Sequence, residues 1–242
     1  MQPIGASDLL DIWERGASQP PFRRAAALVA AACPELSREQ IDALPLGDRS
    51  RLLWQIRART FGAGVSAVVS CPQCAVSLDV VFDTADVLAS IRVDESASVE
   101  HDDYVVRYRP PTSSDLAMVA DERMPDAALL RRCIVEARRA STAVAIEALP
   151  AAIVDLVGDR LADSGAGDRI DIALTCAACA HAWAASFDVV SFFWDEIDAW
   201  AAQMLREVHV LASAYGWREA EVLALGPARR QRYLALIAEQ TG

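Results

Sequence analysis

The longest regular pattern in the sequence lies toward its C-terminal end. From Val190 to Ala214, apolar side chains recur at Phe193, Ile197, Trp200, Met204, Val208 and Leu211, and then at Tyr215. The steps of three and four residues are those of one helical face. Gly216 is a natural C-terminal stop for such a helix. Asp195, Glu196 and Asp198 are expected in its first turns, where the helix dipole favours anions. The stripe reads first as core packing, and a partner groove or a dimer seam would carry the same pattern.

The first 63 residues also read as helical. Pro20-Pro21 precede the apolar run Phe22 to Ala30, and proline suits the first position of a helix. Ser37-Arg38-Glu39-Gln40 fits a capping box ahead of Ile41 and Leu44. Gly47-Asp48-Arg49 opens a third run, Leu52 to Arg57, which stops at Phe61-Gly62. Three or four short helices are expected here.

Period 2 takes over at two places. Gly64 to Ser70 and Ile170 to Thr175 are β-prone runs. Each is followed by a C-x-x-C, an alanine, and an alternating segment that ends in Phe-Asp: Phe82-Asp83 in one copy, Phe187-Asp188 in the other. Between the copies, Tyr104 to Arg109 alternates as a strand. Thr112 to Asp115 offers helix N-caps for a helix through Val119. Two further helices are expected, from Pro125 to Ala140 and from Pro150 to Ala162, before Gly165-Ala166-Gly167 returns the chain to the second copy. After Tyr215, Trp217 to Leu225 is a short amphipathic helix, Gly226-Pro227 breaks it, and Ala228 to Ile237 starts another.

The expected fold class is α+β, mainly helical: a split, four-cysteine zinc-ribbon-like β-core with helical N-terminal, inserted and C-terminal segments. The divisions are 1–63 (N-terminal helices), 64–94 (first ribbon half), 95–168 (inserted α/β subdomain), 169–189 (second ribbon half) and 190–242 (C-terminal helices).

Composition narrows the chemistry. The 242 residues carry 34 acidic and 23 basic side chains, a net charge of −11. Every basic residue is arginine, so a lysine phosphate clamp or Schiff base is excluded. The acidity argues against a protein that coats nucleic acid, since such binding runs on clustered positive charge. No basic n-region precedes an apolar stretch at the N-terminus. The longest apolar run, Ala25 to Cys33, is about half the length that spans a bilayer. A soluble cytoplasmic protein without membrane insertion is expected. In that compartment thiols stay reduced, so the six cysteines read as ligands, reactive groups or core thiols rather than disulfides.

Cys71-Pro72-Gln73-Cys74 and Cys176-Ala177-Ala178-Cys179 form two knuckles. A knuckle in a hairpin aims two thiolates at one point, and two knuckles complete a tetrahedral Zn²⁺ shell. The common spacing between such pairs is roughly 15–20 residues. Here the pairs are split by the insertion. A redox dithiol and a site that has lost its metal are the rival readings. A redox pair normally opens a helix, whose N-terminus lowers the thiol pKa; here an alternating strand follows. Cys33 and Cys133 read as buried core thiols, and His181 as a solvent-facing or core strand residue rather than a surrogate ligand. Arg229, Arg230 and Arg232 form a dense basic cluster, either a solvated face or a dock for an acidic partner. There is no G-x-x-x-x-G-K-[ST], G-x-G-x-x-G or G-x-S-x-G, and no catalytic constellation, so no enzyme is expected.

The order of parts resembles the T4-type phage baseplate hub assembly chaperone family, whose bacterial members lie among genes of contractile injection systems and prophages. The residues that carry the resemblance are Leu44 to Gly47, the two knuckles, Phe187 to Ile197, Tyr215 to Leu223, and Pro227 through Arg229-Arg230 to Tyr233-Leu234. The second knuckle has Ala177 where the first has Pro72. The resemblance implies a non-enzymatic baseplate factor of the bacterial cytoplasm or of a phage-tail-like particle. It would bind hub, spike or wedge proteins and hold structural Zn²⁺ at Cys71, Cys74, Cys176 and Cys179. Its contact residues would come from the C-terminal helices: Trp200, Tyr215, Trp217, Arg229, Arg230 and Arg232. The alternatives are a zinc-ribbon nucleic-acid-binding or regulatory protein and a C-x-x-C thiol oxidoreductase.

Overall fold

Helices α1 (Ala6–Gly16), α2 (Pro21–Ala32), α3 (Arg38–Ala43) and α4 (Leu46–Phe61) open the chain. The computed structural model describes residues 1–91, 97–163 and 169–241. Pro21 occupies the first turn of α2, and Ser37 with Gln40 forms the expected capping box of α3. A hairpin follows, β1 (Gly64–Ser70) and β2 (Ser77–Asp83), and then a short helix α5 (Thr84–Ser90).

The insertion contains β3 (Ala97–His101), β4 (Tyr104–Tyr108), α6 (Ser113–Val119), α7 (Pro125–Cys133), β5 (Ile134–Arg139), the two-residue β6 (Thr142–Ala143) and α8 (Ala151–Asp163). Its strands form one antiparallel sheet in the order β3-β4-β5-β6. A second hairpin, β7 (Arg169–Thr175) and β8 (Ala182–Asp188), leads into α9 (Val189–Tyr215), α10 (Glu219–Leu223) and α11 (Pro227–Thr241). The chain is thus mixed α and β and mainly helical, with small sheets.

Among the described residues two main apolar cores organise these parts, and Leu10, Ala201 and Met204 form a small third cluster. The larger gathers Leu9, Leu28, Leu53 and Trp54 from the N-terminal helices, Val65 of β1, Val87 of α5, and Phe193 and Ile197 of α9. Gly16 lets α1 end against this core: a Cβ there would collide with Trp194. The smaller core lies between one face of the four-stranded sheet (Val99, Val106, Ala137) and Ile153, Val154 and Val157 of α8. The insertion is pinned to the N-terminal helices by polar contacts. Buried Arg49 donates to Ser113 Oγ at 2.5 Å, and Leu46 N–H donates to the Pro111 carbonyl at 2.9 Å.

Three expectations change. The helix expected from Pro125 to Ala140 stops at Cys133, and Ile134–Arg139 is a strand. β4 needs an antiparallel partner, and Val106 pairs with Ala137 so that both are buried. Helix α9 starts at Val189, capped by Asp188, so Asp195, Glu196 and Asp198 lie beyond its first turn. Glu196 and Asp198 make side-chain bonds to Arg57 and to the Trp13 indole instead. Helix α5 and strand β3 lack a counterpart in the sequence reading. Gly216 closes α9 as expected, at φ 69° with its N–H on the Ala212 carbonyl. The division at 94/95 and the return at Gly165-Ala166-Gly167 lie outside the described residues.

Candidate metal centre

The two hairpins are built alike, each residue of the second lying 105 positions after its counterpart. Gly64 pairs with Asp83 and Ser70 with Ser77 in the first; Arg169 pairs with Asp188 and Thr175 with Ala182 in the second. Both knuckles close with the same two backbone bonds. Ala75 N–H donates to the Cys71 carbonyl and Cys71 N–H to the Val76 carbonyl; Ala180, Cys176 and His181 repeat this, all at 2.9 Å. Ala75 and Ala180 both sit in the left-handed region, at φ 60° and 58°. A residue with a Cβ is disfavoured there, so the turn is held by its bonds and by what the cysteines do.

What they do is converge. The four Sγ atoms lie within 4.8 Å of one another. Cys71 Sγ is 3.7 Å from Cys179 Sγ, and Cys74 Sγ is 3.7 Å from Cys176 Sγ. The first cysteine of each knuckle therefore faces the second cysteine of the other. A tetrahedron of M–S bonds near 2.3 Å has edges of about 3.8 Å, so these separations fit one ion at the centre. Soft thiolates select zinc, Cu(I) or iron–sulfur chemistry over hard cations. Four of them fill a tetrahedral shell and leave no open position for water or substrate.

Cys71 and Cys176 are buried, while Cys74 and Cys179 are exposed. Burial works to raise the Cys176 thiol, but the N–H groups of Cys179 and Ala178 and the thiols of Cys179 and Cys74 bring it down to about 7. For Cys179 the His181 N–H works downward, and burial with bonds to Cys74, Cys176 and Cys71 pushes the thiol up to about 12. A strand, not a helix, follows each cysteine pair. His181 gives its backbone N–H to this cluster while its ring stacks on Trp183.

Below the sulfurs the hairpins meet again. The Phe82 and Phe187 rings pack edge-on at 5.5 Å, and Trp54 touches Phe82 at 6.1 Å and Phe192 at 6.2 Å. The Phe-Asp repeat thereby acquires two roles. Its phenylalanines join the hairpins, and its aspartates cap the helices that leave them: Asp83 accepts from Ala85 N–H and Asp188 from Val190 N–H.

Other candidate residues are dispersed. Cys33 and Cys133 are buried apart from the cluster, and burial pushes the Cys133 thiol up to about 11. Trp200 is half-buried against the core. Tyr215 and Trp217 stack at 4.8 Å, and Tyr233 of α11 packs edge-on against both. The sequence reading did not count Tyr233 among the contact residues. Trp217, Tyr233 and Arg229 line a shallow hollow of about 140 Å³. Arg229 and Arg232 are exposed.

Arg230 must be removed from the contact surface. It is 6% exposed, and its Nε donates to Glu207 Oε2 at 2.9 Å and its Nη1 to the Leu225 carbonyl at 2.6 Å. The helical turn aims it away from its two neighbours, and it faces α9.

Searches of curated proteins and of solved structures return no significant match to this chain. The family profile described as T4 bacteriophage base plate protein matches residues 23–194. That stretch is well over half of the chain and contains both knuckles and the insertion between them. It ends early in α9, so the Tyr215-to-Leu234 segment lies outside it. On this match the chain belongs to the T4 bacteriophage base plate protein family.

Proposed function

We propose that this protein is a non-enzymatic assembly factor for the baseplate of a phage-tail-like contractile injection system. In this reading the four knuckle cysteines hold one structural Zn²⁺, and the C-terminal helices meet hub, spike or wedge proteins. The family match over residues 23–194 carries the reading.

The sulfur tetrahedron gives it a mechanism. Bound metal would turn coordination energy into folding energy, as in other small thiolate sites. The chain's own residues do the rest. Phe82 and Phe187 join the hairpin bases, and Asp83 and Asp188 launch helices from them. The direction of α9 then follows from the knuckles, and α9 carries α10 and α11 with it. The Tyr215–Trp217–Tyr233 cluster and exposed Arg229 and Arg232 offer rigid aromatic area and planar guanidinium forks, the side chains favoured at contact hot spots. In this reading the protein resides in the bacterial cytoplasm during assembly, or within the particle afterwards. Among the described residues no helix is long and apolar enough to cross a membrane.

The test is co-purification of the tagged full chain with each product of the adjoining tail gene cluster. Stoichiometric association with a hub, spike or wedge protein supports the reading. Absence of affinity for every such product, or turnover in an insulin-reduction assay, removes it.

A further inference from the structure

A concavity of about 530 Å³ opens between α1 and α2, and among the described residues its lining includes none from the knuckles or from α9, α10 and α11. Arg15, Arg23, Arg24 and Arg38 line it, and among the described residues its lining holds no aspartate or glutamate. In a chain of net charge −11 this is a local inversion of sign.

Among the described residues three of the four arginines are held without an ion-pair partner. Arg24 donates to the Gly16 and Ala17 carbonyls at 3.0 and 2.9 Å, with its guanidinium 4.5 Å from the Trp194 ring centre. Arg15 donates to the Asp11 carbonyl, and Arg23 lies over the Phe22 ring. Carbonyls and rings orient a guanidinium but do not cancel its charge. Among the described residues, only Arg38 of the four has an ion-pair partner, Asp42. Between them the floor is low and apolar: buried Ile12 and exposed Ala27, whose single methyl lets another chain approach closely.

We infer that the α1–α2 groove docks an acidic peptide segment of a partner protein, taking its carboxylates on the arginine forks and its apolar side chains on the alanine floor. Bidentate guanidinium–carboxylate pairs supply both strength and orientation. A nucleic-acid backbone suits the surface less well, because a polyanion tracks an extended basic stripe and the chain as a whole carries a net charge of −11. That the partner is a baseplate protein rests on the function proposed above; the chemistry of the groove does not.

The test uses the full chain and a fluorescein-labelled peptide of three Glu-Ala-Ala-Leu-Glu repeats, followed by anisotropy at low salt. Binding is expected, weakened by added salt. Ala27→Glu, on an exposed position, should weaken it by roughly tenfold or more, as should the double change Arg15→Gln with Arg23→Gln. Arg229→Gln, on the other basic surface, should leave it unchanged. Circular dichroism confirms that each variant is folded. No binding, equal affinity in all variants, or displacement by inorganic phosphate or single-stranded DNA at the concentration of competing unlabelled peptide would overturn the inference. Because the probe is generic, the two readings fail separately. Peptide binding without any tail-gene partner sinks the assembly role alone. Partner binding that survives Ala27→Glu sinks the groove alone.

Discussion

Arg57 and Glu196 form a two-pronged ion pair, Nε to Oε2 at 2.9 Å and Nη2 to Oε1 at 2.6 Å, that ties the helix before the first knuckle to the helix after the second. The remaining nitrogen of Arg57, Nη1, donates to the Gly62 and Gly64 carbonyls at 2.8 and 2.7 Å, where β1 begins. One side chain therefore holds α4, α9 and the foot of the first hairpin together, at the end of the hairpins opposite the sulfurs.

Removing one partner of such a pair leaves a poorly solvated charge, a loss of about 3 kcal/mol or more. Arg57→Met strands Glu196 and two carbonyls at once. Glu196→Gln keeps shape and one acceptor, and should cost less, about 1–2 kcal/mol. Urea unfolding of both variants measures this. An Arg57→Met loss no larger than that of the exposed control Arg160→Met would mean that the pair does not secure the hairpin foot.

The knuckles themselves can be tested by metal and by backbone. Full-length protein purified without chelator should contain one zinc per chain by elemental analysis. Cys176→Ser should lose the metal and lower the unfolding temperature. In the loaded protein all four knuckle thiols should resist alkylation until a chelator is added, and buried Cys33 and Cys133 should resist even then, until unfolding. Ala180 at φ 58° adds a control without a thiol. Ala180→Gly should be tolerated or stabilising, while Ala180→Val should cost more than about 1 kcal/mol. A chain whose stability and metal content ignored Cys176→Ser would not share one site between its hairpins.

Asp115 gives the fold an acid limit. Burial works to raise its carboxyl, but the Arg109 fork at 2.6 and 3.0 Å and the Thr112 hydroxyl and N–H bring it down to about 2. A carboxylate held below its unfolded value near 4 adds stability that is complete above that value and is lost as pH falls toward 2. The amount is about 2 kcal/mol. Stability measured from pH 6 to pH 2 should fall in this window, and Asp115→Asn should flatten the fall while lowering the plateau. If the variant keeps the full acid slope, other carboxylates set it.

Much of this architecture was legible because its signals are local. The hairpins announce themselves by period 2, and the doubled C-x-x-C with Phe-Asp at a fixed offset pairs them. Ser37, Thr112 and Gly216 mark helix ends through side-chain caps and a left-handed stop. What escaped depends on distant partners. Pro125 to Ala140 reads as one helix until β4, some thirty residues before Ala137, offers Val106 to it. The arginine groove is assembled from two helices and the start of a third, and only Arg23-Arg24 are adjacent in the sequence. The sulfur cluster was readable as two halves, but its crossed pairing of Cys71 with Cys179 needed both hairpins in place.

Arg230 was hidden by its neighbours. Arg229, Arg230 and Arg232 look like one solvated face, yet successive helix residues point about 100° apart, and only Arg230 turns inward to Glu207. Gln231 also donates to that carboxylate, at 2.8 Å from its Nε2 to Oε1. Arg230→Ala should therefore loosen α11 from α9, costing about 3 kcal/mol because the buried Glu207 carboxylate loses its cation. The double change Arg230→Met with Glu207→Leu should recover much of that loss, since a well-packed apolar pair often replaces a buried ion pair at little cost. Arg229→Ala and Arg232→Ala should leave stability within about 0.5 kcal/mol of the original. Any effect they have on partner association would then report contact rather than folding. Thermal unfolding run beside partner pull-down separates the two classes. If Arg230→Ala left the unfolding temperature unchanged while abolishing association, Arg230 would belong to the contact surface after all, and the buried pair would be incidental to how α11 is held.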